Sequence, residues 1–275
     1  MAEKKRTLPD YKAPPVIETV LGVQFKPLNK FLVPHFGLFW EKIRSEYPNF
    51  EAQTPLASVI ERFENDNTSS WKGLEFSISQ GVPVLRGWFK DNSGTQLIQV
   101  QNTRFLINWR EQTGDEPYPH YHHIQLKFKA EWERFCEFLK SEDIGQPEID
   151  QCEVTYVNHF EVKKEIENFG NISKVSSFWS DLPSSGPLQT PEAVQFSLRY
   201  LMPENKGRLH VTLDPKVRVR DGKEILQMNL TARGNPGSSN LEEICEWFNL
   251  GHTWIVEGFT QLTTPEMHKL WGRTL

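Results

Sequence analysis

The spacing of apolar residues switches between two periods along the chain, and this switching predicts a mixed α and β protein. Residues 16–25 are rich in Val, Ile, Thr and Leu, which favour β-strands. Residues 34–47 then place large apolar side chains at helical spacing, and Pro48 ends the predicted helix. The chain therefore opens with a strand and a helix.

Short alternating runs follow, and they end in a long amphipathic helix. The runs typical of strands are residues 56–63, 73–79, 84–89, 96–102 and 103–110. A polar loop at residues 111–119 leads to a helix over about 123–139. One apolar stripe lies along this helix: Ile124, Phe128, Trp132, Phe135, Cys136 and Leu139.

The second part of the chain repeats this order of elements. The predicted elements are a strand at 149–162, a short helix at 175–182, strands at 194–201, 208–213 and 224–232, and a helix from about 240. Ser239 and Glu242 have the spacing of a capping box for that helix. A last short helix is predicted to begin at Thr264 and to end at Gly272.

Matched residues in the same order suggest that the two parts are related. The pairs are Glu18 and Phe25 with Glu153 and Phe160, Phe39-Trp40 with Phe178-Trp179, Phe76-Ser77-Ile78 with Phe196-Ser197-Leu198, and Asn108-Trp109 with Asn229-Leu230. We predict an α+β fold of two related β-α-β(3–5)-α halves, with antiparallel sheets gripping long helices in a helix-grip or saddle-like arrangement. The halves are residues 14–145 and 146–275, packed as one unit after a flexible tail at 1–13.

Composition narrows the classes of partner. The net charge of −5 disfavours general nucleic-acid binding, which requires a positive face. The sequence contains neither a signal peptide nor a run of about 18 apolar residues, so we expect no membrane span and a cytoplasmic protein. Cys136, Cys152 and Cys245 are far apart in sequence and are predicted to be free thiols.

Common cofactor and nucleophile motifs are absent from the sequence. It has no P-loop, no dinucleotide-binding glycine fingerprint, no serine nucleophile elbow and no HExxH zinc motif. His120, His122 and His123 cluster after a loop, but their spacing does not converge on one metal ion. We therefore predict no cofactor and no metal.

Strand alternation selects candidate site residues. In the 149–162 strand, Tyr156 and Asn158 share one face with apolar neighbours, so Asn158 is either a buried polar anchor or a ligand contact. Trp109 and Arg110 end an earlier strand and face opposite ways. His252, on the apolar stripe of the final helix, is interpreted as a core histidine bonded to the backbone.

A row of cations is predicted near the end of the chain. Lys216, Arg218 and Arg220 alternate along a predicted strand, so they would line one face over about 13 Å. The row is either an edge strand protected from aggregation or a surface for an anionic ligand or partner. With Trp109, Arg110, Tyr156 and Asn158, these three residues complete the candidate ligand or partner contacts.

Several motifs together resemble a known family. They are Pro14-Pro15-Val16-Ile17-Glu18, Gln99 to Phe105, Asn108-Trp109-Arg110, Tyr118-Pro119-His120-Tyr121, and Gln151 to His159, with His252, Phe259 and Trp271-Gly272 near the end. The chain resembles, over almost its whole length, a sporadically distributed prokaryotic family of uncharacterised proteins. The resemblance implies no specific activity, and the patchy distribution suits mobile-element or defence-linked genes.

The favoured function is a non-enzymatic binding or interaction protein, with regulatory, antitoxin-like and phage-defence-associated roles left open. The alternative is a small-ligand-binding helix-grip protein or a hydrolase with an aromatic-lined pocket, and a third class is a metal-dependent enzyme that uses the histidine cluster. We expect a protein partner or a small ligand, and homo-oligomers are compatible with the sequence.

Overall fold

The protein is described by a computed structural model for residues 7–63, 85–180, 187–188 and 190–274. These residues form a mixed α+β fold with one antiparallel nine-stranded sheet and four α-helices, so the predicted class is confirmed. The strands are β1 (Val16–Phe25), β2 (Asn49–Gln53), β3 (Arg86–Lys90), β4 (Gln96–Gln101), β5 (Arg104–Arg110), β6 (Ile149–Glu161), β7 (Phe196–Leu201), β8 (Arg208–Val217) and β9 (Glu224–Gly234). The helices are α1 (Val33–Ile43), α2 (His120–Ser141), α3 (Leu241–Leu262) and α4 (Pro265–Leu270).

The two central strands of the sheet come from different parts of the chain. The strand order is β2-β3-β4-β5-β1-β6-β9-β8-β7. β1 pairs with β6, and Val20 lies between Asn108 of β5 and Thr155 of β6. One continuous sheet therefore spans both parts of the chain. On each side of the centre, the last strand in sequence lies beside the first.

The sheet has a face covered by helices and a polar face. Cys152, Val154 and Tyr156 of β6 are buried on the covered face, against which α2 and α3 pack. The intervening residues, such as Glu153 and Thr155, lie on the polar face. The period-2 pattern therefore identified the two faces of this strand correctly.

Aromatic rings fill the core between α2 and the sheet. Phe105 of β5 stacks on Phe135 with ring centroids 5.0 Å apart, and it meets Trp132 edge-on at 5.5 Å. Phe128 meets Phe248 of α3 at 4.8 Å. Such ring pairs add specific geometry to the large area that each ring buries. The stripe predicted on α2 is thus the side of the helix that packs on the sheet.

Two predicted elements take another form. Residues 56–63 are not a strand; they cross the polar face without pairing to it, because side chains of the sheet bind their main chain. Residues 175–180 are not helical, because Ser176 instead bridges to Thr263 beyond α3. The predicted run 73–79, with the Phe76-Ser77-Ile78 match, lies outside the described residues.

The chain ends also differ from expectation. Residues 10–13, predicted to belong to a flexible tail, are fixed: Tyr11 is buried and its hydroxyl lies 2.8 Å from Thr260 Oγ1. The cap of α3 is Asn240, whose side chain accepts from Glu242 N–H, because Ser239 Oγ accepts instead from Ile149 N–H.

We predict that Trp132→Ala lowers the free energy of unfolding by about 3–5 kcal/mol, because it leaves a cavity in a close-packed aromatic core. The matched control is Leu126→Ala on the same helix, since Leu126 is 49% exposed. It should cost less than about 1 kcal/mol. Urea denaturation of the three proteins measures both values, and equal costs for the two variants would contradict the packing of this stripe.

Candidate functional site

A cavity of about 340 Å³ lies where α2 and α3 meet over β6. Its wall is mainly apolar and aromatic, with polar groups from several elements. The described lining residues are Leu8, Pro9, Asp10, Tyr11, Pro14, Val16, Tyr118, His120, Tyr121, His122, Tyr156, Asn158, Leu230, His252, Ile255, Val256 and Phe259. An apolar wall with a few convergent polar groups is the usual composition of a small-molecule site.

A chain of hydrogen bonds crosses the wall of this cavity. The Tyr118 hydroxyl donates to the Tyr156 hydroxyl at 2.8 Å. The Tyr156 oxygen lies 2.9 Å from His252 Nδ1. Because Tyr156 accepts from Tyr118, its own proton is directed to His252 Nδ1, which places the imidazole proton on Nε2. The loop before α2, strand β6 and helix α3 each supply one member of this chain.

A second set of contacts holds the His252 ring flat against α2. The rings of Tyr121 and His252 stack with centroids 3.9 Å apart and planes inclined by 3°. The Tyr121 hydroxyl donates to Asn249 Oδ1 at 2.9 Å, and Gln125 Nε2 donates to the same oxygen at 2.9 Å. These contacts within the protein fix the orientation of the imidazole, so no ligand is needed to hold it.

Burial favours the uncharged forms of the two phenols and the imidazole that form this chain. Desolvation raises the pKa of Tyr156 well above its ordinary value and raises the pKa of Tyr118 to about 12. Desolvation also lowers the pKa of His252 to about 4. The phenols and the imidazole are therefore neutral near pH 7, since burial disfavours the charged form of each group.

Asn158 is a buried polar anchor, and its role as a ligand contact stays a prediction. Its side chain is buried, and Nδ2 donates to the backbone oxygen of Met228 at 3.3 Å. The same side chain lines the cavity. Tyr156 and Asn158, two residues apart on β6, thus come together at one site as strand alternation predicted.

Trp109 and Arg110 are separated by the sheet. Trp109 is on the covered face, 5.5 Å edge-on from the Tyr118 ring, and it lines a neighbouring cavity of about 240 Å³. Arg110 is on the polar face, where its guanidinium lies 5.2 Å from the Trp88 ring centroid and donates to Gly94 O. Only Trp109 approaches the cavity wall, through Tyr118.

The three candidate cations do not form a strand row. β8 ends at Val217, so Lys216 lies in the strand while Arg218 and Arg220 lie in the turn that follows. The chain turns after Val217, where Gly222 has a φ of 70° and donates its N–H to Arg218 O, and the cations of this turn pair with carboxylates. Arg218 contacts Asp221 and Glu161 at 2.6 and 3.0 Å, and Arg220 contacts Glu111 at 2.8 Å. Their role as contacts for an anionic partner stays a prediction.

The histidine cluster divides between two cavities. His120 and His122 line the larger cavity, whereas His123 lines the smaller one and places Nδ1 2.7 Å from Pro119 O. His120 has a φ of 61°, a left-handed conformation that is unusual for a residue with a side chain. Among the residues that the structure describes, no group of three or more His, Cys, Asp or Glu is placed to hold a metal ion.

Several residues that line the cavity have contacts that their sequence positions did not predict. His252 was interpreted as a core histidine bonded to the backbone, but its Nδ1 faces the Tyr156 side chain. Tyr118 and Tyr121 belong to a motif that resembles the family pattern, and both line the cavity. The signal that could have found the site is the polar His252 on an otherwise apolar helix stripe.

Comparisons with protein-family models, curated proteins and solved structures found no match to this chain. Within the described part of the chain, no helix has both the length and the apolar character needed to cross a membrane.

We predict that His252 makes stability depend on pH below neutrality. Its folded pKa of about 4 lies below the ordinary value of 6.5, so its contribution is complete above about pH 6.5 and declines as pH falls towards 4. His252→Gln should reduce the slope of unfolding free energy by up to about 1.4 kcal/mol per pH unit in this window. Urea denaturation from pH 7 to 4.5 measures the slope.

The control for this measurement is Thr253→Ala, the neighbouring position on α3, which carries no titrating side chain. Its slope should equal that of the wild type. Equal slopes for wild type and His252→Gln would contradict the buried, neutral imidazole.

Proposed function

We propose that this protein is a non-enzymatic binding protein whose cavity holds a small, planar, uncharged ligand. The observation that carries the proposal is the chain from Tyr118 through Tyr156 to His252, which ends in the cavity. A hydrogen-bond network directed into an apolar cavity supplies orientation, while the surrounding rings supply contact area.

The wall defines the chemistry of the ligand. The interior phenols and imidazole are neutral, and Asp10, the acidic residue of the described lining, is exposed. A charged group buried inside the cavity would therefore lose its hydration without gaining a buried opposite charge. His252 Nε2 carries the proton and can donate it to a carbonyl or ring nitrogen. Stacking surfaces such as Tyr121 favour a flat ring system. A neutral heterocycle with a hydrogen-bond acceptor fits these requirements.

Binding is favoured over hydrolysis by the same pKa shifts. A general base works best with a pKa near the operating pH, whereas the pKa of His252 is about 4 and the tyrosine pKa values are raised. No serine, threonine or cysteine is among the described residues of the cavity wall, and the tyrosine hydroxyls there are poor nucleophiles because they keep their protons.

Membership of the sporadically distributed prokaryotic family, an internal duplication and a cytoplasmic location are parts of this proposal. The mirrored strand order about β1 and β6 supports duplication, as do α2 and α3, each of 22 residues after the last strand of its half. In the proposed helix-grip arrangement, the sheet holds both helices and the cavity forms at their junction. A regulatory, antitoxin-like or defence-associated role would use the ligand as its signal.

We predict that residues 14–140 superpose on residues 149–260 in a crystal structure, with β1, β3, β4 and β5 on β6, β7, β8 and β9 in that order and with α2 on α3. Mirrored strand order is expected from duplication because each copy keeps its internal pairing. Different paths of the chain between equivalent strands would contradict the duplication.

We predict that 2-quinolone, a planar neutral lactam, binds the cavity and that 1-naphthalenesulfonate, a charged ring of similar size, does not. His252→Phe keeps the ring stack but removes the donor, so it should weaken 2-quinolone binding about tenfold, equivalent to about 1.4 kcal/mol. Isothermal calorimetry measures the affinities.

The control variant is Tyr200→Phe, which removes one hydroxyl from an exposed ring on β7. Its affinity for 2-quinolone should equal that of the wild type. Binding of the sulfonate, or 2-quinolone binding that is indifferent to His252→Phe, would contradict the proposal.

A further inference from the structure

Four long polar side chains form a row across the polar face of the sheet. Gln101 of β4 pairs with Arg104 of β5, Arg104 with Gln24 of β1, and Gln24 with Gln151 of β6. Each is at most 5% exposed. Residues opposite one another on neighbouring strands point the same way, so the row runs perpendicular to the strands.

Residues 54–63, here called the strap, lie on this row and are held by their main chain. Gln101 accepts from Leu56 N–H at 2.9 Å and donates to Leu56 O at 3.1 Å. Gln24 and Gln151 both donate to Val59 O, at 3.3 and 2.7 Å.

Three more side-chain bonds reach the main chain of the strap, and one of them runs from Arg208 Nη1 to Arg62 O at 2.8 Å. Arg104 donates to Ala57 O at 2.6 Å, and Gln151 accepts from Glu61 N–H at 2.8 Å. Most of the hydrogen bonds that a neighbouring strand would make to the main chain of the strap are made here by glutamine side-chain amides.

The dimensions of strap and sheet agree. The five residue steps from Leu56 to Glu61 span about 16 Å at standard strand rise. The three strand spacings from β4 to β6 cover about 14 Å. A polypeptide that crosses the strands can therefore form hydrogen bonds with each side chain of the row in turn. These bonds involve its main chain, so they require no particular side chain on the crossing segment.

One side chain of the strap is recognised specifically. Glu61 Oε2 lies 2.8 Å from Arg208 Nη1, and Oε1 lies 2.6 Å from His210 Nε2, both on β8. Burial opposes ionisation, but the hydrogen bonds from His210 and Arg208 hold the pKa of Glu61 at about 2. The polar face thus binds the main chain along the length of the strap and binds a carboxylate at one end of it.

The aliphatic side chains of the strap contribute little to holding it, since Leu56, Val59 and Ile60 are all exposed. Phe63 is half-buried, and its ring centroid lies 4.7 Å from the Arg208 guanidinium. An element held mainly by polar contacts, with little aliphatic burial, opens at a lower free energy than the core. The strap is therefore the part of this face that can leave without unfolding the sheet.

We propose that the polar face is a binding surface for an extended peptide segment of a partner protein, with a carboxylate side chain placed to reach Arg208 and His210. The strap is its intramolecular occupant, and the partner segment takes its place. This surface is on the opposite face of the sheet from the aromatic cavity. The peptide proposal is therefore independent of the ligand proposed for the cavity.

The test uses a labelled peptide with the sequence of the strap, TPLASVIERF, and a chain in which residues 54–63 are replaced by a ten-residue Gly-Ser linker. Fluorescence anisotropy should show binding to the replaced chain. Binding to the wild type should be at least about 100-fold weaker, because the tethered strap competes at an effective concentration near millimolar.

Variants of the peptide separate main-chain from side-chain recognition. Replacing Leu56, Val59 and Ile60 of the peptide by Thr should keep the affinity within about threefold, because these side chains face solvent. Glu61→Gln should weaken binding about tenfold or more, since a charge-assisted pair is lost. Dependence on the apolar side chains with indifference to Glu61→Gln would overturn the proposal.

Variants of the replaced chain locate the surface. Gln151→Leu and Arg208→Gln should each weaken binding about tenfold, whereas Lys140→Gln, at an exposed position of α2, should not. Peptide binding that is unchanged by Gln151→Leu would overturn the proposal. So would failure of a replaced chain with native circular dichroism to bind, or its assembly into dimers in place of peptide binding.

A second measurement applies if the replaced chain does not fold. Glu61→Gln in the full chain should speed hydrogen exchange at Leu56 and Glu61 N–H, whose acceptors are Gln101 and Gln151. It should also raise the affinity for the wild-type peptide at least threefold. An unchanged exchange rate and affinity would overturn the proposal.

Discussion

The pairing of β1 with β6 is the interaction on which the rest of the structure depends. It joins residues more than a hundred positions apart and makes one sheet of two sets of strands. Because α2 and α3 each follow the last strand of their own set, that pairing also brings the two helices side by side. Without it, neither the aromatic cavity nor the row of polar side chains would exist.

The two faces of this central pair differ in chemistry and support different kinds of recognition. On the covered face, Tyr156 lies among aromatic rings and keeps its proton, and the cavity proposed to hold a flat, uncharged ligand is on that face. On the polar face, Gln24 and Gln151 of the same two strands bind main chain. Strand alternation is the physical origin of this division, since adjacent residues of β6 contribute to opposite surfaces.

Local forces made much of the fold predictable. β1 and the stripe on α2 follow from periodicity, because the side chains that must be buried repeat with the geometry of the element itself. Thr264 caps α4 as its sequence indicates, since an N-cap needs only its neighbouring N–H groups. Tyr156 and Asn158 were identified as a pair because two residues on one strand face need no tertiary information.

Other features depend on groups far apart in sequence, and the sequence alone could not determine them. The strap is predicted as a strand, but Gln101 and Gln151 of the sheet bind its main chain, and nothing in its own sequence indicates those partners. Arg220 lies beyond the end of β8 and pairs with Glu111, 109 positions away in sequence. His252 meets Tyr156 only because β6 and α3 pack together. Periodicity therefore determined the elements and their faces, whereas pairing between distant segments decided which side chains meet.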